Sequence, residues 1–147
     1  MRLVVISGHS GSGKTSALNI LEDVGFTCID NLPSSLLPEL INQLKPNNNP
    51  EELLLAVGID ARNLVGDLNN FPKILTTIED SGIAVDVIFL KAHRTDLLRR
   101  YSETRRKHPL SNETIGLKEA IDREDSIISP IAKIANLTID TSSLTLH

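Results

Sequence analysis

The sequence predicts a three-layer α/β fold in which a parallel sheet of about five strands carries helices on both faces. Short, mostly β-branched apolar segments alternate along the chain with segments whose apolar residues recur at helical spacing. This alternation is typical of a parallel sheet built by right-handed crossovers. A glycine-rich segment joins the first predicted strand to the first predicted helix. The 147 residues are 40% apolar, so residues 1–147 are expected to form a single domain around one core.

The glycine-rich segment at 8–15 follows the pattern G-x-x-x-x-G-K-[ST] at every fixed position. An apolar strand at 3–6 precedes it and an amphipathic helix at 16–23 follows it, which is the order found in P-loop NTPases, here of the kinase-like type. Its glycines allow backbone N–H groups to turn inward onto phosphate oxygens. The alternative is a glycine-rich turn that joins a strand to a helix without a ligand.

The loop residues predicted to contact a nucleotide are Gly8, His9, Ser10, Gly11, Ser12, Gly13, Lys14 and Thr15. Lys14 is expected to reach the β and γ phosphates in a catalytic role, and the Thr15 hydroxyl to bind Mg²⁺. For His9 we expect a contribution from the backbone N–H rather than from the ring as a catalytic base.

The second predicted strand, at 26–29, ends in Asp30 and Asn31. Ligands of open parallel sheets lie outside the carboxyl ends of the strands, so both side chains are expected near the glycine loop. Asp30 could orient a phosphoryl acceptor or a metal-bound water. Asp and Asn also favour turns for local reasons, and this turn would lead into a helix at Pro33. The sequence leaves both interpretations open.

The third predicted strand, at 53–59, is continuously apolar, as expected of a central strand covered on both faces, and it leads to Asp60. An acidic residue there is typical of a Walker B strand, whose carboxylate holds Mg²⁺ opposite Thr15 and has a catalytic role. The alternative is a capping residue for the following segment. Arg62, two residues farther on, could pair with Asp30, with Asp60 or with a phosphate of the nucleotide.

The remaining predicted elements are helices at 34–44, from about Pro72 to 81 and at about 115–135, and strands at 84–90 and 137–140. The proline and asparagine cluster at 45–50 predicts a surface loop. Pro130 is expected to start a second helical piece, and residues 141–143 to form a loop beside the base.

Residues 91–108 contain seven basic side chains against two acidic ones. We predict a helix over much of this run and a lid whose arginines close over the phosphates, with Arg105 as the catalytic candidate. A solvated basic face and contact with RNA are the alternatives. RNA contact lacks support from interleaved aromatic residues, because Tyr101 is the only tyrosine and tryptophan is absent.

The overall composition limits the classes of function. A net charge of −4 gives no general reason to expect nucleic acid as a partner. Cys28, the only cysteine, cannot form an internal disulfide and is expected to be a small core residue. No apolar stretch approaches membrane-spanning length, and the segment before the glycine loop leaves no room for a secretory signal. The expected setting is the reducing cytoplasm.

Longer motifs accompany the glycine loop: EDVGF at 22–26, CIDNLP at 28–33, DAR at 60–62, RRYSETRR at 99–106, HPL at 108–110 and IDTS at 139–142. With these motifs the chain resembles the N-terminal domain of the RapZ/YvcJ family of P-loop nucleotide-binding proteins, which includes the RNase adapter protein. The resemblance implies binding of ATP or GTP with slow hydrolysis, and in some members RNA binding and regulation of amino-sugar metabolism.

The resemblance also bears on partners, because family members are similar over a C-terminal domain to which RNA and amino-sugar phosphate binding are assigned. This chain stops before that domain and is expected to supply the nucleotide-binding part of a regulatory protein, as a weak Mg²⁺-dependent ATPase or GTPase. A small-molecule kinase is one alternative, because the same sheet, Asp30 and an arginine lid also suit phosphoryl transfer to a metabolite. An RNA-binding adapter is the other.

Overall fold

The computed structural model describes residues 2–9, 12–44, 54–60, 70–93, 95–99 and 116–141. Its strands are β1 (Arg2–Gly8), β2 (Thr27–Ile29), β3 (Leu54–Gly58), β4 (Ala84–Lys91) and β5 (Leu137–Asp140). Its helices are α1 (Lys14–Asp23), α2 (Leu37–Leu44), α3 (Phe71–Asp80) and α4 (Leu117–Ile134). A 3₁₀ turn at Ser34–Leu36 precedes α2, and residues 95–99 are helical.

The five strands form one parallel sheet in the order β2-β3-β1-β4-β5. β1 is central, with β3 paired along one side and β4 along the other. β2 and β3 lie on one side of β1, and β4 and β5 lie on the other. Ligands of open parallel sheets bind at the switch point, where the strand order changes sides, outside the carboxyl end of the central strand. The predicted α/β class is confirmed, and the segment that follows β1 lies at the centre of the carboxyl edge.

Helices cover both faces of the sheet. On one face α2, α3 and α4 bury a large apolar cluster that contains Phe71 and Ile128. On the other face α1 buries a smaller cluster that contains Leu18. Successive residues of β1 belong to opposite clusters, Val4 to the smaller and Val5 to the larger. Because both faces are covered, β1 is buried from its second residue onward, which explains its continuous apolar sequence.

Pro130 lies inside α4 and does not start a separate helix, which corrects the prediction from the sequence. A proline in a helix interior costs about 3 kcal/mol, because it lacks the N–H that would bond to the preceding turn. Ile128 and Ile131, on either side of it, are 0% and 2% exposed and pack in the larger cluster. This packing holds the helix against the sheet before and after the proline, so α4 continues through it.

The other element boundaries lie close to the predicted ones. β2 begins at Thr27, one residue later than predicted, and α3 begins at Phe71 with Pro72 in its first turn. The predicted loop at 45–50 and most of the predicted lid fall outside the described residues. In the part of the chain that the structure describes, no helix is both long and apolar enough to cross a bilayer.

Replacing Phe71 with alanine is expected to lower the free energy of unfolding by about 3–5 kcal/mol, because the ring is fully buried and its loss leaves a cavity between α3 and the sheet. Urea denaturation followed by circular dichroism measures the change. Lys73→Ala, on the exposed side of the same helix, is the matched control and should stay within about 0.5 kcal/mol of the parent. Equal costs for the two substitutions would contradict the core position of Phe71.

Candidate functional site

β1 ends at Gly8 in close contact with β4. Gly8 has a φ of 147°, and a side chain built there would collide with the main-chain carbonyl of Leu90. The next residue, His9, donates its backbone N–H to the same Leu90 oxygen at 3.3 Å. Only glycine fits at this position, because a Cβ would force β1 and β4 apart and break the contact between His9 and Leu90. The first glycine of the sequence pattern is therefore required by strand packing, and the loop begins at a fixed point of the sheet.

The loop ends at Gly13, which has a φ of 103° and directly precedes α1. Ser12 donates its N–H to the His9 carbonyl at 3.0 Å, so the chain turns tightly before the helix. Within the described residues, α1 has no side-chain cap at its N-cap and no acidic residue in its first turn. Its first N–H groups and the positive end of its dipole therefore face the loop without a negative partner in that turn, a combination that favours an anion.

Lys14, the first residue of α1, folds back over the loop. Its Nζ donates to the carbonyl oxygens of Gly8 at 3.2 Å and of His9 at 3.5 Å. The ammonium group is thus held at the beginning of the loop, while the adjacent Thr15 is exposed in the first turn of the helix. The structure brings the lysine of the sequence pattern and its first glycine into direct contact.

Asp60 lies two residues beyond β3 and is 4% exposed. Ile59 donates its N–H to the carbonyl of Ile6 at 3.0 Å, which continues the β1–β3 pairing past the end of the strand. This contact holds Asp60 at the carboxyl edge, beside the strand that leads into the loop. A buried carboxylate on one side of the loop and an exposed hydroxyl in the first turn of α1 are oxygen ligands of the kind that Mg²⁺ takes together with water and phosphate.

Asp30 lies in a turn that is packed against β3. Its Oδ1 accepts the Asn31 N–H at 2.8 Å, and Asn31 has a φ of 55°, a left-handed conformation that asparagine tolerates. A side chain built at Gly58 would collide with Asp30 Oδ1, and Leu32 donates its N–H to the Gly58 carbonyl at 3.1 Å. These contacts support the interpretation of Asp30 as a turn residue. Asp30 is also exposed, at the same edge of the sheet as the loop.

The His9 ring makes a contact that the sequence analysis missed. Its Nε2 lies 2.8 Å from Asp125 Oδ1 of α4, and the ring packs edge-on against Phe89, with centroids 5.9 Å apart at 74°. The two partners are 116 residues apart. Asp125 belongs to a run of charged residues that could equally pair with one another, so no sequence signal connects it to the loop.

A cavity of about 320 Å³ lies beside this contact. It is lined by His9, Ala92, Leu97, Ile121, Asp122 and Asp125. Ala92, just after β4, lines one part of its wall together with Leu97 and Ile121, and the two carboxylates form another. The glycine loop therefore has open space on its α4 side.

Several predicted site residues lie outside the described part of the chain: Ser10, Gly11, Arg62 and Arg105. Of the basic run, Lys91 and Arg99 are described, and Arg99 Nη2 lies 2.6 Å from Asp96 Oδ1 in an exposed pair. At the end of β5, Thr141 donates its N–H to the Lys91 carbonyl at 2.8 Å, which fixes the start of the loop that was predicted to lie beside the base.

Cys28 lies in β2, half-buried against α1. Its thiol donates to the Leu18 carbonyl, with 3.2 Å between Sγ and O. Burial, and secondarily the negative charge of Glu22, raise the pKa of this thiol above its ordinary value. The expected role as a small structural residue fits these contacts better than that of a reactive thiol, because the thiolate is the reactive form.

Comparison of the sequence with protein families matches residues 1–147 to the RapZ-like N-terminal domain. Two curated relatives, each named nucleotide-binding protein, come from Cellvibrio japonicus and Saccharophagus degradans. They are 50% and 52% identical to this chain over all 147 residues. The match covers 49% and 51% of their own lengths, so the chain spans about half of each relative.

Two solved kinases share the fold. A shikimate kinase from Acinetobacter baumannii, in complex with shikimate, superposes with a TM-score of 0.56 at 18% identity, covering 96% of this chain and 84% of that one. A gluconokinase from Sinorhizobium meliloti gives a TM-score of 0.56 at 17% identity, covering 97% and 83%. At these identities the likeness establishes the fold alone, a kinase-like α/β sandwich.

Alkylation of Cys28 is expected to have a higher pH midpoint in the folded protein than in the urea-unfolded chain, because a raised pKa leaves less thiolate at any given pH. Iodoacetamide labelling followed by mass spectrometry measures the midpoint at this single cysteine. Glu22→Gln removes the secondary cause and should lower the folded midpoint part of the way. Asp23→Asn, at the neighbouring position, should leave it unchanged. A folded midpoint at or below the unfolded one would rule out the raised pKa.

Proposed function

The chain belongs to the family of RapZ-like N-terminal domains, and we propose from this premise that it is a nucleotide-binding domain for ATP or GTP. The observation that carries the proposal is the geometry of Lys14, whose ammonium group lies on the carbonyls of Gly8 and His9 at the start of α1. The curated relatives, which are named nucleotide-binding proteins, support the same function.

The polyphosphate is proposed to lie in the loop between β1 and α1. The Lys14 ammonium donates to the carbonyl oxygens of Gly8 and His9. A phosphate oxygen carries negative charge, so it adds Coulomb attraction to the hydrogen bond, and a bound triphosphate would draw the ammonium toward its β and γ groups. The N-terminal N–H groups of α1 would add donors to the same oxygens. The proposed contacts of Ser10, Gly11 and Arg62 with the nucleotide complete this site.

Thr15 and Asp60 are the residues proposed to hold Mg²⁺, since a hydroxyl and a carboxylate fit its preference for oxygen ligands. When bound, the ion would neutralise charge on the β and γ phosphate oxygens. Asp60 is buried at the edge of the sheet, so its carboxylate has little freedom to move away from the site. Thr15 is in the first turn of α1, adjacent to Lys14.

Slow hydrolysis is the activity we propose. The imidazole of His9 has its Nε2 on Asp125 and its Nδ1 buried, so this ring is poorly placed to accept a proton from an attacking water. Arg105 is proposed to supply positive charge to the transferring phosphate from the basic run. We further propose that the domain acts in the cytoplasm as the nucleotide-binding half of a regulatory protein, whose other half would bind RNA or an amino-sugar phosphate.

A small-molecule kinase is the second candidate, and Asp30 is the observation that favours it. Its carboxylate is packed against Gly58, at the same sheet edge as the loop, where an acceptor hydroxyl could be bound. Labelled ATP incubated with a metabolite pool distinguishes the candidates, because a labelled small product supports the kinase and free phosphate alone supports the hydrolase.

Lys14→Ala is expected to weaken binding of ATP or GTP about 10- to 100-fold, because a hydrogen bond to a charged group contributes about 1.5–3 kcal/mol. Isothermal titration calorimetry measures the Kd, and thermal unfolding checks that the fold is retained. Lys73→Ala removes the same charge from the exposed side of α3 and should leave the Kd unchanged. Equal affinity of Lys14→Ala and the parent would move the nucleotide to another site.

Asp60→Asn is expected to reduce Mg²⁺-dependent hydrolysis about tenfold or more while leaving nucleotide affinity without Mg²⁺ nearly unchanged, since the substitution removes only the charge of the proposed metal ligand. Release of phosphate at increasing Mg²⁺ concentrations measures the effect. Asp80→Asn, exposed at the end of α3, is the control. If Asp60→Asn and the parent respond identically to Mg²⁺, the ion is held elsewhere.

A further inference from the structure

We propose that Asp125 is a positioning residue for the phosphate loop and acts on it through the imidazole of His9. The proposal rests on the proposed function, because the loop in question is the proposed nucleotide site. The proposal gives α4, which follows β4 in the sequence, a role in keeping Lys14 in position to contact a polyphosphate.

The main chain of His9 connects three parts of the loop. Its N–H donates to the Leu90 carbonyl at 3.3 Å, and its carbonyl accepts the Ser12 N–H at 3.0 Å. The same carbonyl accepts Lys14 Nζ at 3.5 Å. A displacement of His9 would therefore disturb the contact with β4, the turn before α1 and the position of the ammonium group together.

The hydrogen bond to Asp125 fixes the orientation of the His9 ring. A carboxylate can only accept, so the proton of a neutral imidazole must be on Nε2 for the 2.8 Å contact to form. Among the described residues, Nδ1 is buried without a hydrogen-bond partner. In the described part of the chain, Asp125 is thus the polar group that orients the His9 ring, and Phe89 supplies an apolar contact.

The His9 side chain is 11% exposed, and the ring is not packed on every side. The cavity of about 320 Å³ lies directly beside it, and His9, Asp122 and Asp125 form part of the wall. Without Asp125 the ring would have space to rotate toward this cavity. The Asp125 side chain is 69% exposed, but the helix that carries it is buried against the sheet through Ile128 and Ile131, three and six residues farther along.

The first test compares Kd values in a double-mutant cycle. Asp125→Ala is expected to weaken ATP binding about five- to tenfold, as for the loss of one hydrogen bond. Asp125→Asn keeps an acceptor oxygen and should restore most of the affinity. In a His9→Ala background, Asp125→Ala should have no further effect, because the residue acts through the ring. Glu119→Gln, an exposed carboxylate in the first turn of α4, is the matched control and should leave the Kd unchanged.

A second readout uses the nucleotide-free protein, so that failure of this inference is distinguishable from failure of the proposed function. Long-range ¹H–¹⁵N NMR spectra of the imidazoles should report His9 with the proton on Nε2, and His9→Ala identifies its signals among the four histidines. Asp125→Ala should change the His9 signals and the backbone amide shifts of Ser12 and Lys14. Glu119→Gln should change neither.

Two results would overturn the proposal. One is an Asp125→Ala spectrum in which the His9, Ser12 and Lys14 signals match those of the parent. The other is an equal loss of affinity on Asp125→Ala in the parent and in the His9→Ala background, which would mean that Asp125 acts independently of the ring. If the parent binds no nucleotide while the spectra change as expected, the proposed function fails and the positioning role of Asp125 stands.

Discussion

The contact between Gly8 and the Leu90 carbonyl is the constraint on which the candidate site depends. It lets β1 stay paired with β4 until its last residue, and the same Leu90 oxygen then accepts the His9 N–H. Because the sheet is parallel and β1 is central, the loop that starts at this contact lies at the switch point of the sheet. Strand packing therefore fixes the point from which the proposed phosphate site starts.

The loop is supported from both neighbouring strands. On the β3 side, Ile59 continues the pairing with Ile6 and carries Asp60 to the edge of the sheet. On the β4 side, Leu90 and Phe89 contact the main chain and the ring of His9. Asp60 and Asp125 thus place carboxylates on both sides of the loop, while the Lys14 ammonium lies at its start and the N-terminus of α1 at its end. This charge arrangement suits a polyphosphate in the middle with a cation beside it.

The features that could be predicted from the sequence are the local ones. The apolar runs determine the strands, and the G-x-x-x-x-G-K-[ST] spacing determines the turn and the start of α1, because both depend on residues adjacent in the chain. Pro130 was misinterpreted because the burial of Ile128 and Ile131, a tertiary effect, keeps α4 continuous. The His9–Asp125 contact joins residues 116 positions apart. No periodicity or spacing encodes such a pair, so only the packing of α4 beside β4 reveals it.

The apolar cluster on one face of the sheet is larger than the cluster on the other, and this difference affects which helix can open locally. Among the described helices, α1 packs against the smaller cluster, whereas α2, α3 and α4 share the larger one. Regions with fewer buried apolar contacts open at lower free energy than the whole molecule unfolds. The helix that carries Lys14 and Thr15 can therefore loosen while the opposite layer stays intact. Amide protection should accordingly differ between the two layers, with exchange in α1 occurring independently of global unfolding.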